Sequence, residues 1–277
     1  MHPREQNSDA HALLSQFILP PTLETAHTWA DTIAVSTDTF GKGVWVRNEN
    51  GIYAHRKPGV NSQGSVEALR EIVCTVIAGW LHVPTPRMEL IEHPVLGPCS
   101  LSYEPPEGGI FRWYNVMEMK LTHDLYANGV LALEAYAGRA VVLDILVGAC
   151  DRRNSGNHLY VESDRTWYTI DYGLSFNRHP ERDGVGDPSI GYGLRPYQEV
   201  WPDIVQAIRL DVLRETLSIA SELTDTAIEG LLALPPEAFG DGETRGAMIS
   251  FLKYRRSHIR DLVWDWCKMV GVSGVGQ

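Results

Sequence analysis

The amino-acid sequence predicts an α+β fold in two lobes: a small antiparallel β lobe carrying one helix, then a larger, mostly helical C-terminal lobe. Strand-like runs punctuated by glycine and asparagine fill residues 32–56, one apolar helix pattern follows them, and helical periodicity dominates from residue 125 onward. The expected organisation is an N-terminal extension over 1–28, a β-rich N-lobe over 29–118 and a helical C-lobe over 119–277. A cleft between two lobes is where small ligands usually bind.

The extension holds Pro20, Pro21 and a short apolar patch of Leu13, Leu14, Phe17 and Ile18, so it reads as a docked segment. TIAVST, GVWVRNENG and IYAHRK then form an antiparallel meander, with turn residues at Gly41, Gly43, Asn48, Asn50 and Gly51. Ser65 is the expected N-cap of a helix running to Leu81, in which Leu69, Val73, Val76 and Trp80 recur at three- and four-residue intervals. Pro84 and Pro86 end it, and PRMELIEH reads as another strand. Beyond the Pro/Gly-rich stretch 96–109 and the mixed run FRWYNVMEMKL, helices are expected over 125–149, 198–217, 225–234 and 244–269. In the last of these, Met248, Leu252, Ile259, Val263 and Trp266 mark a packing face.

Composition narrows the function classes. Lys plus Arg number 24 against 35 Asp plus Glu, a formal charge of −11, which disfavours general attraction to nucleic acid or anionic lipid. Cys74, Cys99, Cys150 and Cys267 are widely spaced without a CxxC pair and read as reduced thiols, not as a disulfide frame or zinc site. Charges and amides occupy the N-terminus where a signal peptide carries an apolar core, and no apolar run approaches the roughly 18 residues of a membrane span. A cytoplasmic protein with no membrane or direct nucleic-acid partner is expected.

The chemistry concentrates in residues 141–176, VVLDILVGACDRRNSGNHLYVESDRTWYTIDYGLSF. An apolar helix runs into a polar turn opened by Asp151 and closed by Asn157; after a short strand pair Asp171 emerges, flanked by Ile170 and Gly173. Two acidic residues and an amide on adjacent turns suit a metal and phosphate site, with an aspartate near an acceptor hydroxyl and an amide oxygen on Mg²⁺. A plain surface turn accounts for Asn154, Ser155 and Gly156 as well. A calcium loop counted from Asp151 would put Gly156 sixth and Glu162 twelfth, but Arg153 takes a ligand position and a β-like run replaces the exiting helix. Asp171 reads either as a strand-end carboxylate reaching a cleft, with Gly173 letting the backbone turn sharply, or as a β-turn aspartate satisfied by nearby N–H groups.

Lys57 ends the third strand, where a compact cation can reach phosphate oxygens, and strand alternation puts Arg56 on the opposite face. Glu71 on the following helix is its natural partner, although at about 100° per residue it lies nearly opposite the Leu69, Val73, Val76 and Trp80 stripe. The turn STDTFGKG, residues 36–43, can offer backbone N–H groups to phosphates and is neither a Walker A loop nor GxGxxG.

Taken in order, these segments resemble the HipA-like kinases, a branch of the protein-kinase-like fold that includes the phosphatidylinositol 3/4-kinases, from about residue 32 to the C-terminus. GIYAHRKPG is similar to that family's strand bearing the ATP lysine, and ALREIVCTVIAGWLHVPTP to its glutamate-bearing helix. DRRNSGNHLY resembles the catalytic turn, IDYGLSF the metal-binding IDxG segment, and LPPEAFGD followed by LKYRR the C-terminal ending. The resemblance implies a two-lobed protein-kinase-like fold whose N-lobe covers ATP, with Lys57 and Glu71 as an ion pair at the nucleotide. It implies Asp151 as catalytic base, with Asn157 and Asp171 as Mg²⁺ ligands. The family usually places its asparagine five residues after the aspartate; here Asn157 is six residues on and Asn154 three, so both amides are candidates. Also implied are Ser/Thr phosphorylation of a protein substrate, autophosphorylation at Ser36, Thr37 or Thr39, and an antitoxin-like regulatory partner. A small-molecule or lipid kinase on the same scaffold and a nucleotide-binding pseudokinase are the alternatives.

Overall fold

The computed structural model describes residues 29–31, 44–58, 66–104, 109–150, 152, 155–177, 184–189 and 202–274. An antiparallel sheet comes first, built from β1 (Trp29–Asp31), β2 (Val44–Asn48), β3 (Tyr53–Pro58), β4 (Met88–His93) and β5 (Gly97–Tyr103) in the order β1-β2-β3-β5-β4. The β2–β3 hairpin turns at Gly51, whose φ of 81° is the left-handed conformation that glycine adopts without strain. Asn48 steadies the turn by accepting the Ile52 N–H on Oδ1 at 2.9 Å. Between β3 and β4 runs α1 (Glu67–Trp80). A second sheet joins β6 (Ile110–Arg112), β7 (His158–Val161) and β8 (Thr166–Thr169), so the strand after the first sheet pairs with the hairpin that follows the polar turn. The remaining helices are α2 (His123–Val147), α3 (Pro202–Ala207), α4 (Leu210–Glu222), α5 (Asp225–Ala233) and α6 (Gly242–Val270). Antiparallel strands early and helices late give the expected α+β architecture.

The position of α1 matters most for the site. Every residue from Ala68 to Ala78 is buried. Leu69, Val73 and Ile77 share one hydrophobic core with Leu143 and Leu146 of α2 and Phe251 and Leu252 of α6, whereas the first sheet keeps a small separate cluster of Val46, Ala54, Ile91, Cys99 and Leu101. A helix enclosed on all sides has no solvent face. Glu71 is therefore buried even though it lies opposite the main apolar stripe.

Several boundaries differ from expectation for local reasons. The run TIAVST and Ser65 lie outside the described residues; β2 pairs with Trp29–Asp31, and Val66 occupies the N-cap position of α1 without a side-chain bond. α1 ends where His82 takes a φ of 54° and the Val83 N–H returns to the Ala78 carbonyl at 2.8 Å, just before Pro84. The Pro/Gly-rich 96–109 contains β5, whose Cys99, Ser100 and Leu101 are all buried because the strand lies between β3 and β4. FRWYNVMEMKL divides into β6 and a π-helical turn, Tyr114–Glu118. The single helix expected over 198–217 is two helices, α3 and α4, interrupted at Ile208 and Arg209.

Caps fix the two long helices. Thr122 accepts the Leu125 N–H at 3.1 Å to start α2, and Asp241 accepts the Thr244 N–H at 2.8 Å to start α6. Arg255 of α6, fully buried, donates to the Ile145 carbonyl of α2 at 2.9 Å and ties the helices together. All four cysteines are free thiols. Among the described residues no helix is long and apolar enough to cross a membrane.

α2 stops at Gly148 because the backbone there has a φ of 60° and no side chain fits: a Cβ would come within 2.7 Å of both Asn177 Oδ1 and the Phe251 ring. Gly148→Ala combines left-handed strain with overpacking, and should lower the unfolding free energy by about 2 kcal/mol or more, read from urea unfolding.

Candidate active site

Lys57 stands at the end of β3 with its side chain 13% exposed, on the face opposite buried Ala54 and Arg56. Its ammonium donates to Glu71 Oε1, in a short contact from α1, and to Asp171 Oδ1 at 3.2 Å. Sheet, helix and the segment after β8 thus meet at one nitrogen. Asp171 retains 43% side-chain exposure, so its carboxylate faces both the lysine and solvent.

One cation between two carboxylates leaves an excess negative charge in a shielded place. Burial pushes Glu71 up, Lys57 opposes this and Asp171 adds to it, and the carboxyl settles at about 7. Burial alone would lower Lys57, but Glu71 and Asp171 outweigh it and hold the ammonium above its usual value. Burial likewise works against the charge on Asp171, yet Lys57 and then Arg152 keep it below the ordinary carboxylate range. Asp171 therefore carries the charge, and Glu71 holds the proton as the solution is acidified below neutrality.

Asp171 is itself the left-handed residue, with a φ of 61°, and Gly173 does not have positive φ. The sharp turn expected at the glycine falls two residues earlier. A Cβ at Gly173 would sit 3.4 Å from Glu67 and 3.5 Å from Glu71 Oε1, ordinary contact distances, so the position is next to Glu71 without requiring a glycine.

Asn157 is buried in a 3₁₀ turn, Ser155–Asn157, that leads into β7. Its carbonyl accepts the Ile170 N–H at 3.0 Å, which places it one backbone hydrogen bond from the residue before Asp171. Next to it, His158 is fully buried and 2.6 Å from the Tyr136 hydroxyl through Nδ1. Burial and the nearby Arg152 charge lower the imidazole well below its usual range, so His158 is neutral and anchors the strand. Asp151 and Asn154 lie outside the described residues, as do Arg153 and the whole turn 36–43. Cys150 and Arg152, which flank Asp151 in the chain, both bond to the Asp171 segment: Cys150 N–H reaches the Leu174 carbonyl at 3.2 Å, and Arg152 reaches the Asp171 carbonyl at 2.8 Å.

Sequence reasoning missed the layer beneath. Asp144, inside the apolar stretch of α2, is fully buried with its Oδ1 3.8 Å from Arg152 Nε. Burial pushes Asp144 up to about 6 despite Arg152, while Asp144 and its neighbours hold Arg152 above its usual value even though burial would lower it. Each group thus opposes the effect of burial on the other's charge. Arg70, also fully buried, reaches the carbonyls of Gly173 and Gly184, each at 3.4 Å. A signal for the first pair was present: a lone aspartate within an apolar helix needs a buried partner.

Mg²⁺ favours hard oxygen ligands, commonly one or two carboxylates completed by water and phosphate oxygens. Among the described residues no group of three or more His, Cys, Asp and Glu side chains is placed to hold a metal. The accessible Asp171 carboxylate fits that sparse kind of site in its chemistry, and Asn157, tied to the Asp171 segment through its backbone carbonyl, brings an amide of the right donor type.

No family model and no curated protein matches this chain. Among solved structures, the crystal structure of the Helicobacter pylori proinflammatory kinase CtkA is similar at a TM-score of 0.57 and 13% identity, covering 87% of this chain and 96% of that one. The Golgi casein kinase with Mn/ADP bound gives 0.43 at 15% identity, covering 92% of this chain and 76% of that one. The MAP kinase LmaMPK10 from Leishmania major gives 0.36 at 11% identity, covering 98% and 90%. The CtkA likeness, nearly complete over both chains, gives this chain a protein-kinase-like fold.

The raised Glu71 value sets a pH test. With a value of 4.5 when exposed and about 7 in the fold, Glu71 favours folding fully below pH 4.5, and that contribution is lost as pH rises through about 7. The stability of the natural chain relative to Glu71→Gln should therefore fall between those values with a slope of up to about 1.4 kcal/mol per pH unit. Urea midpoints for both proteins across that range decide the point; a difference independent of pH would contradict it.

Proposed function

We propose that this chain is an ATP- and Mg²⁺-dependent phosphotransferase of HipA-like type, acting on serine or threonine of a protein. The observation that carries the reading is Lys57 meeting both Glu71 and Asp171, which joins the sheet to the helical half at a part-open carboxylate. The kinase fold shared with CtkA and the motif order support it.

In this reading Lys57, held by Glu71, orients the α- and β-phosphates as a fixed point charge. Asp171 and Asn157 would hold Mg²⁺, which supplies charge neutralisation at the phosphates. Asp151 accepts the proton of the acceptor hydroxyl. Residues 29–118 cover the nucleotide and 119–277 carry the catalytic groups, leaving the 36–43 hydroxyls as candidates for autophosphorylation. An antitoxin-like regulator belongs to the same proposal.

The extra residue between Asp151 and Asn157 favours a second reading, a pseudokinase that binds nucleotide without turnover. Incubation of the purified chain with Mg-ATP, followed by intact-mass spectrometry and a labelled-phosphate screen of proteins, metabolites and lipids, separates the readings. Phosphorylated product from the natural chain, with at least a hundredfold loss (about 2.7 kcal/mol of barrier) in Lys57→Met and Asp171→Asn, is the expected outcome. Mg-ATP binding with no transfer, and an Asp151→Ala variant identical to its parent, would establish the pseudokinase instead.

A further inference from the structure

Asp171 holds a left-handed backbone conformation, with a φ of 61°, which is uncommon outside glycine, asparagine and aspartate and here is fixed by contacts on both sides. Lys57 grips the carboxylate from the cleft side at 3.2 Å. The backbone is gripped from behind by one buried side chain. Arg152 Nη1 donates to Thr169 Oγ1 at 3.0 Å and to the Ile170 carbonyl at 3.1 Å, while Nη2 donates to the Asp171 carbonyl at 2.8 Å. Its guanidinium lies 4.4 Å from the centre of the Tyr172 ring, and its Nε faces Asp144. One planar group thus touches four consecutive residues, Thr169 to Tyr172.

We propose that Arg152, ion-paired to Asp144, is the positioning residue for Asp171, fixing the backbone that presents its carboxylate to the cleft and thereby setting how tightly the nucleotide's divalent ion is held. The inference rests on the Mg-nucleotide reading of the site. Stability alone is a poor explanation for the pair, because apolar side chains of similar volume commonly replace a buried ion pair without loss. Geometry explains it better. Three hydrogen bonds in one plane to a strand-end hydroxyl and two successive carbonyls need the rigid fork of arginine; lysine keeps the charge but not the fork. Groups that orient a ligand commonly change metal affinity by tenfold or more when altered.

The experiment follows thermal stabilisation of the full chain by ATP as Mg²⁺ is titrated, for the natural chain, Arg152→Lys, Asp144→Asn and Thr169→Val, with stabilisation by metal-free ATP measured in parallel. Arg152→Lys and Asp144→Asn should raise the half-saturating Mg²⁺ concentration by about tenfold or more, leaving the metal-free ATP response within about twofold. Thr169→Val, nearly isosteric and uncharged, removes one Arg152 acceptor together with a hydroxyl contact to Tyr172, and should raise it about threefold or more. Should the charge variants fail to fold, Thr169→Val decides alone. Unchanged Mg²⁺ dependence in the folded variants, or parallel loss of both responses, overturns the positioning role while the Mg-nucleotide reading stands. A natural chain indifferent to ATP with or without Mg²⁺ overturns both.

Discussion

The ammonium of Lys57 is the point on which this structure turns. It bonds to a helix 14 residues away and to a loop 114 residues away, so it joins three segments that the chain order keeps apart. Each segment is held independently at its other side. β3 is fixed between β2 and β5, α1 is enclosed by the core it shares with α2 and α6, and the Asp171 segment is bonded to Arg152. The charge cluster does not have to supply the fold's stability; apolar burial along α1 does that. The cluster instead fixes the register of sheet against helix. A shift of β3 by one residue would turn Lys57 to the opposite face and leave Glu71 facing Asp171 with no cation between them.

Buried guanidinium groups do for the loops what ladders do for strands. Residues 170–177 run without regular secondary structure and include three left-handed positions, Asp171, Phe176 and Asn177. Carbonyls in such a segment need donors from outside it. Arg152 serves Ile170 and Asp171, Arg70 serves Gly173 and Gly184, and the Gly148 carbonyl takes the Asn177 N–H at 2.9 Å. Arg70 precedes Glu71 in α1, so one helical turn grips Lys57 with one side chain and the loop beyond Asp171 with the next.

This arrangement explains what was legible in the sequence. Lys57 and Asp171 could be read because each lies in a short motif whose residue type matches a local geometry, strand end and strand exit, whereas Glu71 was legible only as the partner of Lys57, its place on the helical wheel arguing against it. The α+β division was legible for the same reason, since periodicities of two and of three to four residues are local properties. Arg152 was visible only as the second letter of a turn, because its partners, Asp144 and the carbonyls of 170 and 171, are set by how α2 meets the β7–β8 hairpin. Backbone carbonyls carry no sequence signature at all. The sharp turn expected at Gly173 rests on the intrinsic freedom of glycine, whereas the left-handed residue is Asp171, held by its tertiary bonds. β5 was hidden in a stretch rich in proline and glycine, where local propensity argues against a strand and the sheet's interior overrides it.

The contrast between global and local charge is the remaining consequence. A formal charge of −11 would repel a polyphosphate at long range. Yet Lys57, Arg70 and Arg152, all wholly or largely buried, converge on residues 169–174 from β3, α1 and the polar turn. Lys57 and Arg152 are each matched by a carboxylate, Glu71 and Asp144 respectively, so the site concentrates cationic donors without a basic surface. Such paired groups act at contact distance, whereas the diffuse surface charge acts over the roughly 10 Å that salt leaves unscreened. With Asp171 included, the Lys57 cluster holds two carboxylates to one ammonium, so it is the arrangement of these groups and not a local positive charge that distinguishes the site.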